Sequence, residues 1–118
     1  MSSENMGPPP MSEVVPGVRV RQMVGQATGA GAVTLGELHI DAGGALPPHR
    51  HRVEEAFYVL SGQVRATVRG TALILNAGDS ARAPAEFVHG LENVGEDRAR
   101  VIFAFPAISV EREWADDR

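Results

Sequence analysis

The chain has 118 residues, which suits one domain with a small hydrophobic core, and its apolar (43%) and charged (22%) fractions are those of an ordinary globular protein. Its formal net charge of −4, with no run of basic residues, makes nucleic acid and anionic membranes poor partners. The absence of cysteine excludes disulfides and thiolate chemistry, and the absence of lysine excludes Schiff-base catalysis.

The N-terminal segment, residues 1–16, is rich in Ser, Gly and Pro and predicts a flexible tail. It lacks the features of a secretory signal, and no apolar run in the chain is long enough to span a bilayer, so we expect a cytoplasmic protein. Residues 17–106 are expected to form the folded domain. Residues 107–118 are a mostly polar C-terminal extension that fits either a short helix or a draped strand.

Between these ends the chain shows short runs rich in Val, Thr, Leu and aromatic residues, separated by Gly, Pro, Asn and Asp, and no helical pattern. The predicted strands are residues 18–24, 33–41, 53–60, 63–69, 72–75, 80–83, 87–93 and 99–105. Residues 42–48 are expected to form a loop, and tight hairpins are expected at Ser61-Gly62 and Gly70-Thr71. Short strands at this spacing predict an all-β, antiparallel sandwich or barrel.

The main candidate for chemistry is a set of three histidines and one glutamate, which are His49, His51, Glu55 and His89. Side chains of equal parity share one face of a strand, so the first three project to one side if the chain is extended there. His89 must then come from a distant strand. Three imidazoles and a carboxylate suit one divalent transition metal, either Fe, Mn, Ni, Zn or Cu, and they leave coordination positions open.

The spacing of these residues resembles the two motifs of the cupin superfamily. The first motif corresponds to Gly43, His49, His51, Glu55 and Gly62. The second corresponds to Gly78, Pro84, His89 and Asn93. Fifteen residues separate the two motifs, a short spacing typical of small single-domain cupins. The resemblance implies a double-stranded β-helix, or jelly-roll barrel, and implies that His49, His51, Glu55 and His89 bind the metal.

One residue departs from the family pattern. The second motif usually has glycine two residues after its proline, and Glu86 occupies that position here. Glycine would permit a positive φ there, whereas glutamate would either accept the strain or give the turn another shape. The departure bears on the local turn and not on the metal ligands.

Further candidates surround this set. Glu37 and His39 share strand parity, so they point to the same side of a predicted strand. They either line the pocket as an acid–base pair or lie on a half-solvated face while Leu38 and Ile40 point inward. We favour the second arrangement, because apolar burial usually decides strand register. Glu55 is the candidate to shift and accept a proton. We expect Arg65 and Arg69 on an exposed face. The expected pocket wall consists of Phe57, Phe87, Phe103 and Phe105.

The leading functional hypothesis is an Fe(II)- or Mn(II)-dependent dioxygenase that acts on a small organic substrate. One alternative is a redox-neutral isomerase, cyclase or decarboxylase in which the ion acts as a Lewis acid. Another is a non-catalytic protein that binds a small ligand. We also expect a homodimer, with the strand at residues 18–24 pairing across the interface, because exposed edge strands need protection.

Overall fold

A computed structural model, which describes residues 9–115, shows eleven β-strands and one short 3-10 helix, Gln26–Thr28, in that part of the chain. The strands are β1 Ser12–Val15, β2 Val18–Val24, β3 Thr34–Ile40, β4 Ala45–Arg50, β5 Glu55–Ser61, β6 Gln63–Val68, β7 Thr71–Asn76, β8 Ser80–Ala83, β9 His89–Asn93, β10 Ala99–Phe105 and β11 Glu113–Trp114. No helix in the described range is long and apolar enough to cross a membrane.

The strands form two antiparallel sheets. One has the order β1-β2-β3-β10-β5-β8, and the other has the order β11-β4-β9-β6-β7. Alternate residues of both sheets turn inward and join in one apolar core, in which Ile40, Val59, Val64 and Val101 are all 0% exposed. The predicted all-β jelly-roll fold is confirmed.

Strand β1 lies within the segment assigned to the N-terminal tail. It pairs with β2 from Ser12 opposite Val20 to Val15 opposite Val18. Strand β2 therefore has neighbours on both sides and is not the exposed edge that the dimer hypothesis assumed; the edge strands of this sheet are β1 and β8. Residues 1–8 of the expected tail lie outside the described residues.

Strand β4 overlaps residues 42–48, which were predicted to form a loop. The loop was predicted because Pro47 and Pro48 argue against a strand. Its ladder with β9 is interrupted between Leu46 and His49, so both prolines sit where the pairing does not require their missing N–H groups. The chain then bends at residues 52–53 and enters β5, in the opposite sheet. The metal-binding candidates of the first motif therefore do not share one continuous strand face; they come from two sheets.

Two glycines allow close approach inside this framework. A Cβ atom on Gly36 of β3 would lie 2.2 Å from the ring of Phe103, so the bare backbone makes room for that ring on β10. Gly62 joins β5 to β6 with φ +91°, and a Cβ there would lie 2.9 Å from the Cα of Ala99. The following hairpin turns on Arg69 and Gly70, one residue earlier than expected, and both have positive φ as two-residue type I′ loops require.

Glu86 keeps the backbone conformation for which glycine is preferred. Its φ is +69°, and its backbone N–H donates to the carbonyl of His51 at 2.7 Å. The turn before β9 therefore retains its shape, and Glu86 carries the strain of a left-handed, non-glycine residue. Its side chain is exposed, so nothing in the core depends on it.

Candidate metal centre

Four side chains converge at one end of the core. His49 on β4 and His89 on β9 are direct partners across the sheet, His51 follows β4, and Glu55 begins β5 in the opposite sheet. All four are buried, with exposures from 1% to 5%. Each offers a ligand atom, and these atoms all lie within 4.8 Å of one another. The structure brings together the four residues that the sequence predicted, but strand parity relates only His49 and His51, because Glu55 begins a strand of the other sheet.

Backbone carbonyls orient all three imidazoles. Nδ1 of His49 donates to the carbonyl of Pro47 at 2.8 Å, and Nδ1 of His89 donates to that of Phe87 at 3.0 Å. Nδ1 of His51 donates to the carbonyl of Glu111 at 2.8 Å, across sixty residues of sequence. A carbonyl can only accept, so each neutral ring carries its hydrogen on Nδ1 and turns an Nε2 lone pair toward the group. Metal-binding histidines are held in this way.

The electrostatics of the group favour a cation at its centre. Nε2 of His89 lies 3.0 Å from Oε1 of Glu55, and Nε2 of His51 lies 3.4 Å from the same oxygen. Burial lowers the pKa of His49 to about 4, so this ring is neutral at neutral pH. Burial by itself would raise the pKa of Glu55, but its contacts with Nε2 of His51 and His89, which become hydrogen bonds when those rings take up a second proton, outweigh burial and the pKa is lowered. Imidazole lone pairs and a carboxylate that face each other repel unless a metal ion or protons lie between them.

The donor set fits a metal ion. Ligand bonds of about 2.1 Å place neighbouring donor atoms roughly 3–4 Å apart, and small side-chain movements bring these four atoms within that range. Nitrogen and oxygen donors with no thiolate suit Fe, Mn, Ni, Zn or Cu. Four protein ligands leave an octahedral ion with positions for substrate. This group could therefore hold a metal and keep it accessible.

A cavity of about 170 Å³ adjoins three of the four ligands, His49, His51 and Glu55. Its apolar wall comes from both sheets and the C-terminal segment, through Val20, Leu38, Leu46, Phe103, Phe105 and Val110. Gln22, Thr34 and Arg112 add polar groups. A substrate in this cavity would lie beside the metal against mostly apolar side chains.

Two of the four phenylalanines expected in the pocket wall line this cavity, namely Phe103 and Phe105. Phe57 is buried beside the metal ligands, with its ring centroid 5.7 Å from that of His89, but it does not line the cavity. Phe87 was wrongly expected there, because its ring packs under the Arg69 guanidinium at 4.3 Å. It serves the site through its carbonyl, which orients His89.

Glu37 and His39 lie on the outer face of β3, away from the cavity, while Leu38 lines it. The alternative in which they form a pocket acid–base pair is therefore wrong. Glu37 is nevertheless only 2% exposed, because Arg21, Arg100 and His39 surround its carboxylate at 3.1, 2.6 and 2.8 Å. Burial would raise the pKa of Glu37, but these hydrogen bonds lower it to about 2. The pair belongs to a structural ion network.

The C-terminal segment belongs to the site, although no functional role was predicted for it from the sequence. Strand β11 pairs with β4, with Trp114 opposite His49, and its ring stands edge-on to His49 at 5.7 Å. The same segment supplies the Glu111 carbonyl for His51 and places Arg112 at the cavity. Alternation of Val110, Arg112 and Trp114 with glutamates was the available signal for an inward-facing strand. The expectation of either a helix or a strand is decided in favour of a strand at Glu113–Trp114.

Two antiparallel sheets that enclose a buried group of three histidines and one glutamate define a small jelly-roll barrel with a metal-binding site. The profile of the Cupin domain family matches residues 36–105. The chain therefore belongs to the cupin family, as the sequence motifs implied. Among curated proteins, none matches the sequence.

Solved structures share the fold at low identity. The polyketide cyclase RemF from Streptomyces resistomycificus is 20% identical, with a TM-score of 0.75, over 97% of this chain and 79% of that chain. Oxalate decarboxylase from Lactobacillus farciminis is 18% identical, with a TM-score of 0.82, over 92% and 34%. A variant of salicylate 1,2-dioxygenase from Pseudoaminobacter salicylatoxidans, in complex with gentisate, is 17% identical, with a TM-score of 0.75, over 87% and 30%. These similarities show the fold and span three reaction types, so the chemistry must be argued from the site.

Proposed function

We propose that this protein is a metal-dependent enzyme that acts on a small organic molecule by an Fe(II)- or Mn(II)-dependent dioxygenase reaction. The observation that carries the proposal is the convergence of three imidazole nitrogens and one carboxylate beside a cavity of about 170 Å³. A redox-active divalent ion held there supplies Lewis acidity and electron transfer. The protein supplies the ligands, the shape of the cavity and the exclusion of water.

Each ligand has a defined task in this proposal. The three histidines hold the ion through Nε2, because their Nδ1 atoms are committed to backbone carbonyls. Glu55 offsets one positive charge of the ion. It is also the one carboxylate that lines the cavity among residues 9–115, so it is the group able to accept a proton from a substrate bound there.

The cavity limits the size of the substrate. An engineered apolar cavity of about 150 Å³ accommodates benzene. A cavity of about 170 Å³ therefore suits a single ring or a short carbon chain. Leu38, Phe103 and Phe105 would enclose the apolar part of such a molecule and leave its polar part toward the ligands.

The inventory of titratable groups favours oxidation over redox-neutral chemistry. Isomerisation and cyclisation usually require a proton donor and a proton acceptor placed beside the substrate. Glu37 and His39, which would have met that need, lie on the outer face of β3. Within the described chain, the cavity offers no titratable side chain besides the metal ligands and Arg112. A reaction driven by the metal and dioxygen requires fewer such groups.

The test is dioxygen uptake by protein reconstituted separately with Fe(II), Mn(II) and Zn(II), using a panel of enolisable single-ring and short-chain substrates. We expect uptake with iron or manganese and none with zinc. His89→Ala should lose both uptake and bound metal in elemental analysis, because one of four ligands is missing. His39→Gln is the matched control and should retain both, since His39 lies outside the cavity.

Three results would contradict the dioxygenase proposal in different ways. Full conversion of a substrate without oxygen, supported by zinc or nickel, would assign the protein to the redox-neutral alternative. Binding of a small ligand without any turnover across the panel would assign it to the non-catalytic alternative. A wild-type protein that takes up no divalent metal would refute the metal centre itself.

A further inference from the structure

Arg112 is the one cationic side chain, apart from the histidines, that lines the metal cavity within residues 9–115. It stands between two residues with structural tasks at the site, since the carbonyl of Glu111 orients His51 and the backbone of Glu113 pairs with Arg50 in β4. Both neighbours hold the backbone on either side of Arg112. Its side chain is thereby placed at the cavity by the fold and does not merely reach it from a loose terminus.

The guanidinium of Arg112 packs over the ring of Trp114, at 5.0 Å from the centroid. Trp114 in turn stands edge-on against His49, so the guanidinium, the indole and a metal ligand form a continuous row of contacts. Cation–π contact on one face fixes the plane of a guanidinium and leaves its N–H groups free to donate at the edge. Within the described residues, no carboxylate or carbonyl accepts a hydrogen bond from Arg112.

Arg112 differs in this respect from the arginines that form ion pairs. Arg21 and Arg100 are both paired with Glu37, and Arg50 is paired with Glu113. Arg112 has no such partner. The residue as a whole is exposed, but its guanidinium is partly desolvated where it lines the cavity, which lowers its pKa, and only the Glu55 carboxylate acts in the opposite sense. A guanidinium left without an anion at the edge of an apolar cavity is a binding group for an anion supplied from outside.

The net charge of the site with a metal ion bound also favours an anionic ligand. Glu55 offsets one of the two charges of a divalent ion, and the three histidines are neutral when they ligate it. Arg112 adds a positive charge, so the cavity with its metal would hold an excess of two positive charges. An anionic substrate would relieve that excess, whereas a neutral substrate of the same shape would not.

We infer that Arg112 binds a carboxylate of the substrate, and that the protein therefore acts on small carboxylic acids in preference to neutral molecules of the same shape. This inference rests on the proposed function, because it names the substrate class of the same site. The planar guanidinium fork matches the two oxygens of a carboxylate, and the apolar wall formed by Leu38, Phe103 and Phe105 would take the carbon skeleton.

The test is calorimetric titration of Mn(II)-loaded protein with two acids, acetate and benzoate, and with their neutral analogues acetamide and benzamide. Metal content is measured first in every sample. We expect wild-type protein to bind at least one acid at least tenfold more tightly than its amide. Arg112→Gln should lower the affinity for that acid about tenfold or more while leaving metal content and amide affinity unchanged, because a charge-assisted bidentate contact is lost.

Two further variants separate this role from general effects. Arg112→Lys should recover part of the acid affinity, because it keeps the charge and loses the fork. Arg65→Gln makes the same change in net charge at an exposed position, where Arg65 pairs with Glu92 at 2.7 Å, and should bind both acids as the wild type does. Equal acid affinity in wild type and Arg112→Gln, or no preference of the wild type for either acid over its amide, would overturn the inference.

Failure of the metal centre, on which the proposed function depends, would look different. In that case the wild type would take up no metal. The same titrations, run on metal-free protein, would still compare the acid affinity of the wild type with that of Arg112→Gln. A loss of acid affinity in Arg112→Gln would then support the anion site without the metal, and no loss would overturn it.

Discussion

Replacement of Glu37 by glutamine is the sharpest test of the ion network on the outer face of β3. The carboxylate is 2% exposed, and its two oxygens accept hydrogen bonds from Arg21, Arg100 and His39. Glutamine keeps the shape but offers one acceptor oxygen and turns an NH₂ group toward positively charged donors. The variant should therefore be less stable than the wild type at neutral pH.

The magnitude follows from the pKa of Glu37, which falls from the ordinary 4.5 to about 2 in the folded protein. At 1.36 kcal/mol per pH unit, this corresponds to at most about 3 kcal/mol, and less where solvent reaches Arg100, whose side chain is 42% exposed. Because the folded pKa is the lower one, this stability is fully present above about pH 4.5 and is lost as the pH falls toward 2. About half of it should be gone at pH 3.

Urea unfolding of metal-free wild type and Glu37→Gln at pH 7 and at pH 3 measures this contribution, since groups common to both proteins cancel in the difference. Glu92→Gln is the matched control: Glu92 pairs with Arg65 at 2.7 Å but its side chain is 51% exposed, so the cost should stay below about 1 kcal/mol. A stability difference between wild type and Glu37→Gln that is the same at both pH values would refute the reasoning.

Three other changes test single structural features. Glu86→Gly should raise the free energy of unfolding by up to about 1 kcal/mol, seen as a Tm a few degrees higher, because the φ of +69° then carries no strain; a lower Tm would contradict this. Gly36→Ala should lower stability in urea by about 1–3 kcal/mol, because its Cβ would lie 2.2 Å from the Phe103 ring; an unchanged midpoint would show that the ring moves freely. Asn93→Ala should cost about 2 kcal/mol, since its amide donates to the carbonyls of Ile40 and Asp97 at 2.8 Å each, and full stability would dismiss that structural role for this motif residue.

Local sequence patterns were enough to predict most strands of the barrel. Strands β2, β8 and β10 begin and end at the predicted residues. Side chains on a strand point alternately to its two faces, so apolar residues tend to recur with a period of two, and turn residues mark where the strand ends. Strand β4 was not predicted, because two adjacent prolines normally argue against a strand. Here both prolines lie where the β4–β9 ladder is interrupted, so they do not prevent pairing on either side.

The sequence by itself determined the all-β fold and the four candidate metal ligands, because spaced histidines and glycines carry strong constraints along the chain. Tertiary structure alone decided that His49 lies opposite His89, that Glu37 and His39 face away from the cavity, and that Arg112 faces into it. The physical reason is that these placements follow from pairing between segments far apart in sequence. Periodicity reports which face of a strand is buried, but it does not report which strand lies beside it.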